Sequence, residues 1–228
     1  MRAALLHGPR DLRIEEVPIP AGEVVVRIRA ATTCGTDIKM WRRGHPALDA
    51  YPCAFGHETA GVREDSGDPV LVAPSVACGA CGPCRDGRPQ ICRQPRWVLG
   101  GFAEAIAAPA AALHAVPGDL EPAGAAMAEP LAAALHAVGR ATTASEVGVL
   151  GGGPMGLMLA ALLVADGRQV TVADHHAERR AQAEGLGARG VEVLGRHPLV
   201  FEAVGRPASW AAAVEAAEPG GTVILVGG

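Results

Sequence analysis

Val147-Gly148-Val149-Leu150-Gly151-Gly152-Gly153-Pro154-Met155-Gly156 is the stretch that decides the fold. Residues 147–150 read as a short buried strand, and the apolar run 154–166 reads as the helix after it. Between them Gly151, Gly153 and Gly156 satisfy G-x-G-x-x-G, in the strand–turn–helix context that gives this motif meaning. Gly151 makes the tight turn. Gly153 leaves room for a pyrophosphate to approach the backbone, and Gly156 lets helix and strand pack closely. The helix amino terminus, with Pro154 and Met155 in its first turn, offers N–H donors and the positive end of its dipole to an anion. The alternative is a glycine-rich turn that holds no ligand.

Downstream the same rhythm continues. A strand at 169–173 ends in Asp174. A carboxylate there accepts hydrogen bonds from ribose hydroxyls and repels a 2′-phosphate, which favours NAD over NADP. His175, His176, Arg179 and Arg180 pull the other way, and Arg179 joins the candidate cofactor contacts. Helices at 177–186 and 208–217 alternate with strands at 199–203 and 222–226, a pattern of parallel strands covered by helices. Upstream the chain is β-rich. Strands are expected at 1–6, 12–17, 23–31, 58–62, 70–73 and 102–107, broken by Gly and Pro, with one short helix at 36–43. Helices at 123–126 and 130–138 mark the change, so domains are expected at 1–122 and 123–228. No internal repeat is visible.

Four of the six cysteines crowd into one segment. Cys78, Cys81, Cys84 and Cys92 have the spacing C-x2-C-x2-C-x7-C within an irregular lobe at 76–95. Two intervening residues let two thiolates reach one ion from a tight turn, and four thiolates close a tetrahedral zinc site that holds structure and does no chemistry. An iron–sulfur cluster or two disulfides are the alternatives.

A second group of donors is dispersed. Cys34-Gly35-Thr36-Asp37 follows one strand, Gly56-His57-Glu58 precedes another, and Glu129 opens a helix in Ala128-Glu129-Pro130-Leu131. Cys34, His57 and the Glu129 carboxylate could hold a Lewis-acid zinc with one position left open. Singly each has a plainer reading: Cys34 as a small buried hydrophobe, His57 as a structural histidine, Glu129 as a helix amino-terminal acid.

Composition narrows the partners. Hydrophobic residues make up 49% of the 228, enough for a sizeable core. Charged residues are 19% and the net charge is −4, which gives no basic excess for nucleic acid. Aromatic residues are only 3%, too few for base-stacking platforms. Residues 1–6 lack a signal-peptide core, and the longest apolar stretch, 157–165, falls short of a membrane span. The expectation is a cytoplasmic protein without a membrane partner.

Together these motifs, with Gly101-Phe102-Ala103-Glu104 and Gly220-Gly221-Thr222, resemble the zinc-containing medium-chain dehydrogenase/reductase family, in its polyol (sorbitol-type) and threonine dehydrogenase branch. The resemblance implies an α/β chain: a GroES-like β-barrel catalytic domain followed by a Rossmann domain. It implies a catalytic zinc on Cys34, His57 and a carboxylate matching Glu129, with Glu58 beside it, and a structural zinc on the four cysteines. It implies hydride transfer between a secondary alcohol (polyol, sugar alcohol or amino alcohol) and NAD, NADP being less favoured, with Thr36 starting the proton relay. Ile38, Trp41, Trp97 and Leu99 are candidate pocket residues. A homo-oligomer is compatible with the family.

The chain also departs from that pattern. Lys39 stands near the family's relay histidine, with His45 as a substitute. The stretches 61–68 and 92–100 are short, and 187–199 has room for a loop where the family has a helix. Family members continue beyond residue 228 with further Rossmann elements, a pairing strand and a return segment. The chain is therefore expected to be truncated at its carboxyl end, with unpaired strand edges and exposed apolar surface. A non-catalytic, zinc-stabilised dinucleotide-binding remnant is the alternative to an enzyme. A zinc-independent reductase of the same superfamily would lack the Cys34–His57 pair and the cysteine lobe.

Overall fold

The computed structural model describes residues 1–48 and 50–227; Gly228, the expected end of the second domain, lies outside them. The chain divides into two compact units, Met1–Glu129 and Pro130–Gly228.

The first unit is built on β1 (Arg2–Gly8), β2 (Asp11–Glu16), β3 (Val24–Thr32), α1 (Gly35–Arg43), β4 (Cys53–Ala54), β5 (Glu58–Arg63), β6 (Pro69–Val72), β7 (Ser75–Val76), α2 (Gly82–Arg85), β8 (Arg96–Trp97), β9 (Ala105–Ala108), β10 (Leu113–Ala115) and α3 (Pro122–Ala126). Five antiparallel strands form its main sheet in the order β10-β6-β5-β3-β9, and β2-β1-β4 form a smaller one. Val24 and Val26 point inward from β3 and meet Val70, Val72, Val98, Ile106 and Ala108, a period-2 core in which all but Ala108 are β-branched. Leu6, Met40, Ala47 and Phe55 form a second cluster under α1.

The expected boundary at 122/123 falls too early. Ala125 and Ala126 of α3 are buried against Ala60 and Val116 of the first unit, and the division comes after Glu129. Alanine-rich helices lie on both sides of this point, so packing and not composition decides it. The strand expected at 102–107 begins only at Ala105, because Phe102 is drawn aside: its N–H donates to Phe55 and its carbonyl accepts from Ala4.

The second unit contains α4 (Ala128–Gly139, which begins just before the division), β11 (Glu146–Leu150), α5 (Pro154–Ala165), β12 (Gln169–Ala173), α6 (Ala177–Gly185), β13 (Arg189–Val191), β14 (His197–Glu202), α7 (Pro207–Glu215) and β15 (Ala217–Leu225). The strands lie in the order β13-β12-β11-β14-β15 and pair in parallel throughout. That is the order 3-2-1-4-5 of a Rossmann sheet. Val147, Val149, Val170, Val172, Leu199 and Phe201 fill the sheet core, with Leu159 and Leu163 of α5 laid on it. β15 is an edge strand of this sheet among the described residues, and Val193, Val214 and Leu225 are exposed. No helix of the described residues is long and apolar enough to cross a membrane.

The connection from β13 to β14 is Glu192 to Arg196, without a helix, as the sequence implied. Crossing three strand spacings of about 4.8 Å while returning the length of β14 needs roughly 20 Å. Six Cα steps reach at most about 21 Å. The segment therefore lies as a taut strap over the sheet. It presses on the central strand: a Cβ at Gly148 would stand 2.9 Å from Leu194 Cδ2 and 2.8 Å from the His197 ring. Glycine in mid-strand is explained by this close approach. Gly148→Val should lift the strap and cost about 1–3 kcal/mol in urea unfolding; unchanged stability would mean that the strap does not bear on β11.

Candidate functional site

Two motifs distant in sequence meet because of one antiparallel register. β3 pairs with β5 with Thr32 opposite Glu58. Cys34 then follows the end of β3 as His57 leads into β5, on neighbouring strands. Cys34 caps the amino terminus of α1, and Asp37 is the third helical residue. Asp37 Oδ2 accepts the Cys34 backbone N–H at 2.8 Å, while its Oδ1 lies 3.0 Å from His57 Nδ1. Asp37 is only 4% exposed. With Nδ1 engaged, Nε2 is the ring nitrogen left for another partner. The hydrogen bond to Asp37, then that to Cys34, pushes the His57 pKa up to about 10. His57 in turn lowers the Cys34 thiol, helped by the N–H and hydroxyl of Thr36 and opposed by burial.

Donor atoms of Cys34, His57 and Glu58 lie within 4.8 Å of one another. Glu58 is buried, and its carboxyl oxygen takes the hydroxyl hydrogen bond of Thr32, its cross-strand partner. Glu129 is half-buried and outside that three-donor group. Burial raises its pKa, as do the nearby charges of Glu58 and Asp37, while His57 opposes them. Glu129 therefore shares the electrostatic field of the cluster. His45 Nδ1 accepts the Ala47 N–H at 3.1 Å, so one of its ring nitrogens is committed to a local turn. Ile38 and Trp41 line an apolar pocket of about 340 Å³ with Asp37, Phe55 and Phe102. Trp97 is exposed on β8, and Leu99 packs near the Leu6–Phe55 cluster.

The four lobe cysteines converge as their spacing implied, all with donor atoms within 4.8 Å. Sulfur separations are 3.3 Å for Cys81–Cys84, 3.9 Å for Cys81–Cys92 and 4.0 Å for Cys78–Cys84. Tetrahedral zinc with Zn–S of 2.3 Å asks for about 3.8 Å, and a disulfide for about 2.05 Å. The cysteines are free thiols. The N–H of Arg93 and that of Cys84 bring Cys81 down to about 6, whereas Cys81 itself drives Cys84 up to about 12. A second negative charge is resisted here unless a cation is supplied.

In the second unit the glycine turn has the expected geometry. Gly151 has φ of 102°. A Cβ on Gly156 would overlap the Gly151 carbonyl oxygen. A groove of about 500 Å³ is lined by Gly151, Gly153, Asp174, His175, Arg179 and Arg206; Met155 packs toward the core. Asp174, 7% exposed, accepts the Gly152 and His176 N–H groups at 2.9 Å and Arg179 at 3.3 Å. Burial pushes its pKa up, but those three donors hold it below the usual carboxylate range. Arg180 instead donates to the carbonyls of Asp174 and His175.

Comparison with known proteins agrees with this geometry. Residues 20–118 match the alcohol dehydrogenase GroES-like domain. Residues 144–208 match an FAD-binding domain model, which covers the strand–glycine turn–helix segment. The chain is 37% identical to L-galactonate-5-dehydrogenase of Escherichia coli over 199 residues, covering 79% of this chain and 58% of that protein. It is 33% identical to the starvation-sensing protein RspB of E. coli, covering all of this chain and 76% of that one. The chain belongs to the zinc-containing medium-chain dehydrogenase family. Its fold is that family's GroES-like domain followed by a Rossmann domain. The crystal structure of a proposed zinc-binding dehydrogenase from Sinorhizobium meliloti 1021, bound to NADP, superposes with a TM-score of 0.90 at 28% identity, over 99% of this chain and 76% of that one.

Sequence reasoning named Cys34, Thr36, His57 and Glu58, but gave no part to Asp37 or Thr32. An acid three residues beyond a capping position was a legible signal for Asp37; Thr32 could be found only from the register. Asp37→Ala would leave the Cys34 N–H and His57 Nδ1 without their partner. It should cost about 1–3 kcal/mol in denaturant unfolding, with Asp37→Asn, which keeps one acceptor, falling between. Equal stability of all three proteins would remove Asp37 from this role.

Proposed function

We propose that the chain is a zinc-dependent oxidoreductase that transfers a hydride between a secondary alcohol and NAD. The observation that carries this reading is the convergence of Cys34, His57 and Glu58, with His57 braced by Asp37. A histidine whose second ring nitrogen rests on a carboxylate is oriented as metal-ligating histidines are. Thiolate, imidazole and carboxylate are a donor set suited to zinc with an open position. Cys34 and His57 would hold this ion with a carboxyl from Glu58, which is in place, or Glu129, which lies nearby. The sulfur separations of Cys78, Cys81, Cys84 and Cys92 fit a second, closed zinc site.

Bound zinc supplies the Lewis acidity that lowers the pKa of an alcohol, and bound nicotinamide accepts the hydride. The protein's part is to place and deprotonate the substrate. The Thr36 hydroxyl, beside Cys34, would accept the alcohol proton and pass it outward, with Lys39 or His45 next along the path. The N–H groups opening α5 would receive the pyrophosphate. Asp174 and Arg179 would meet the adenosine ribose, with the Asp174 charge favouring NAD over NADP. On this reading the first unit, Met1–Glu129, acts chiefly as the catalytic part and the second as the cofactor-binding part. Relatives named for L-galactonate, sorbitol and L-threonine support a polyol, sugar alcohol or amino alcohol as substrate class. On this reading the protein works in the cytoplasm on a small molecule, without a nucleic-acid or membrane partner, and a homo-oligomer is compatible with its family.

The purified chain should contain two zinc ions and oxidise members of a secondary-alcohol panel with NAD. Glu129→Ala should weaken the catalytic zinc and the activity while the four-cysteine zinc stays bound. Full activity after that change would take Glu129 out of the mechanism. One zinc per chain and no turnover over the panel would favour the non-catalytic remnant.

A further inference from the structure

Glu202 ends β14 and is fully buried, at 0% exposure. Its Oε1 accepts two backbone N–H groups, from Val204 and Gly205, each at 2.8 Å. Its Oε2 is buried without a hydrogen-bond partner. A carboxyl is costly to bury, so one spent on two consecutive amides fixes those amides in place. The same residue's backbone carbonyl accepts the N–H groups of Val226 and Gly227 beyond β15.

The segment held in this way bears on the dinucleotide groove. Ala203 and Val204 line it together with Gly151 and Gly153. The Ala203 N–H donates to the Leu150 carbonyl at 2.9 Å, one residue before the glycine turn. A Cβ on Gly151 would stand 2.6 Å from Val204 Cγ2, so the valine lies directly over the first glycine of the motif. Gly205 takes φ of 78°, a left-handed turn that a free chain would not hold by itself. Part of the groove wall is thus a three-residue turn, two of whose amides are held by one carboxyl oxygen.

We propose that Glu202 is a positioning residue for the cofactor: it sets the Ala203–Gly205 turn as the second wall of the groove, and dinucleotide affinity depends on it although it does not line the groove. The proposal rests on the dinucleotide reading of the groove given above. Glu202→Gln keeps an oxygen that can accept both N–H groups, whereas Glu202→Met fills the same space without an acceptor. Gly205→Ala leaves Glu202 intact but drives the turn off its left-handed φ, and it covers the case in which the Met variant fails to fold.

The test measures the NADH dissociation constant by fluorescence, together with hydrogen exchange of the Val204 and Gly205 amides without cofactor. The Gln variant should bind within threefold of the parent and keep both amides protected. The Met and Gly205→Ala variants should bind at least tenfold more weakly, and the Met variant should lose the protection. A folded Met variant that loses protection yet binds NADH like the parent would overturn the proposal and leave the dinucleotide reading intact, as would Gly205→Ala binding like the parent. A Gln variant as weak as Met would show that the acceptor geometry is not what matters. A parent chain that binds neither NADH nor NADPH would remove the dinucleotide reading, and the proposal with it.

Discussion

The first unit turns on one carboxylate. Asp37 closes the amino terminus of α1 by accepting the Cys34 N–H, and with its other oxygen it holds the His57 ring. A buried carboxylate must find partners or be expelled, and these two are the partners its position offers. The helix therefore cannot start in a different place without releasing the imidazole. The imidazole cannot rotate without leaving a buried anion short of a hydrogen bond. Capping, a matter of local helix chemistry, here fixes the distance between a sulfur and a ring nitrogen carried by different strands.

The two candidate metal groups differ in how they depend on the fold, and that difference decides what the sequence could disclose. Cys78 to Cys92 sit within one short irregular segment, so spacing alone brings their sulfurs together, and C-x2-C-x2-C-x7-C could be read directly. Cys34 and His57 meet only through the pairing of β3 with β5. A one-residue slip would send one of them to the other face of the sheet. Nothing local in sequence states that register, so their meeting was expected only from the combination of motifs that carries the family resemblance. Thr32 is the clearest case. It is an ordinary strand threonine until Glu58 is known to stand opposite it.

The second unit was read more fully because parallel α/β structure repeats its own signals: apolar strand, turn, helix, and again. Where reading stopped, long-range geometry had taken over. The short edge strand β13 has three residues and follows Gly187 with little apolar character of its own; its pairing with β12 creates it. Gly148 interrupts the apolar run of β11. It is the accommodation that a helix-free crossover requires, since Leu194 and His197 occupy the space a side chain would need. The helix-free crossover and the glycine in β11 beneath it are one structural fact.

Asp174 and Glu202 show a common solution to a problem at the carboxyl ends of parallel strands. Where a strand stops and the chain turns away, consecutive N–H groups lose their ladder partners and still need acceptors. Asp174 supplies them for Gly152 and His176, and Glu202 for Val204 and Gly205. Asp174 does so across the sheet, tying the end of β12 to the glycine turn that follows β11. Glu202 does so within its own turn, while its backbone carbonyl ties that turn to the chain leaving β15. The crevice at the switch point of a Rossmann sheet is open because the connections leaving its two central strands run to opposite sides of the sheet. It keeps a defined shape because two buried acids anchor its rims. Asp174 also lines the groove, where Arg179 partly offsets its charge, and Glu202 does not. The same side-chain chemistry is thus divided between lining the groove and shaping it from behind.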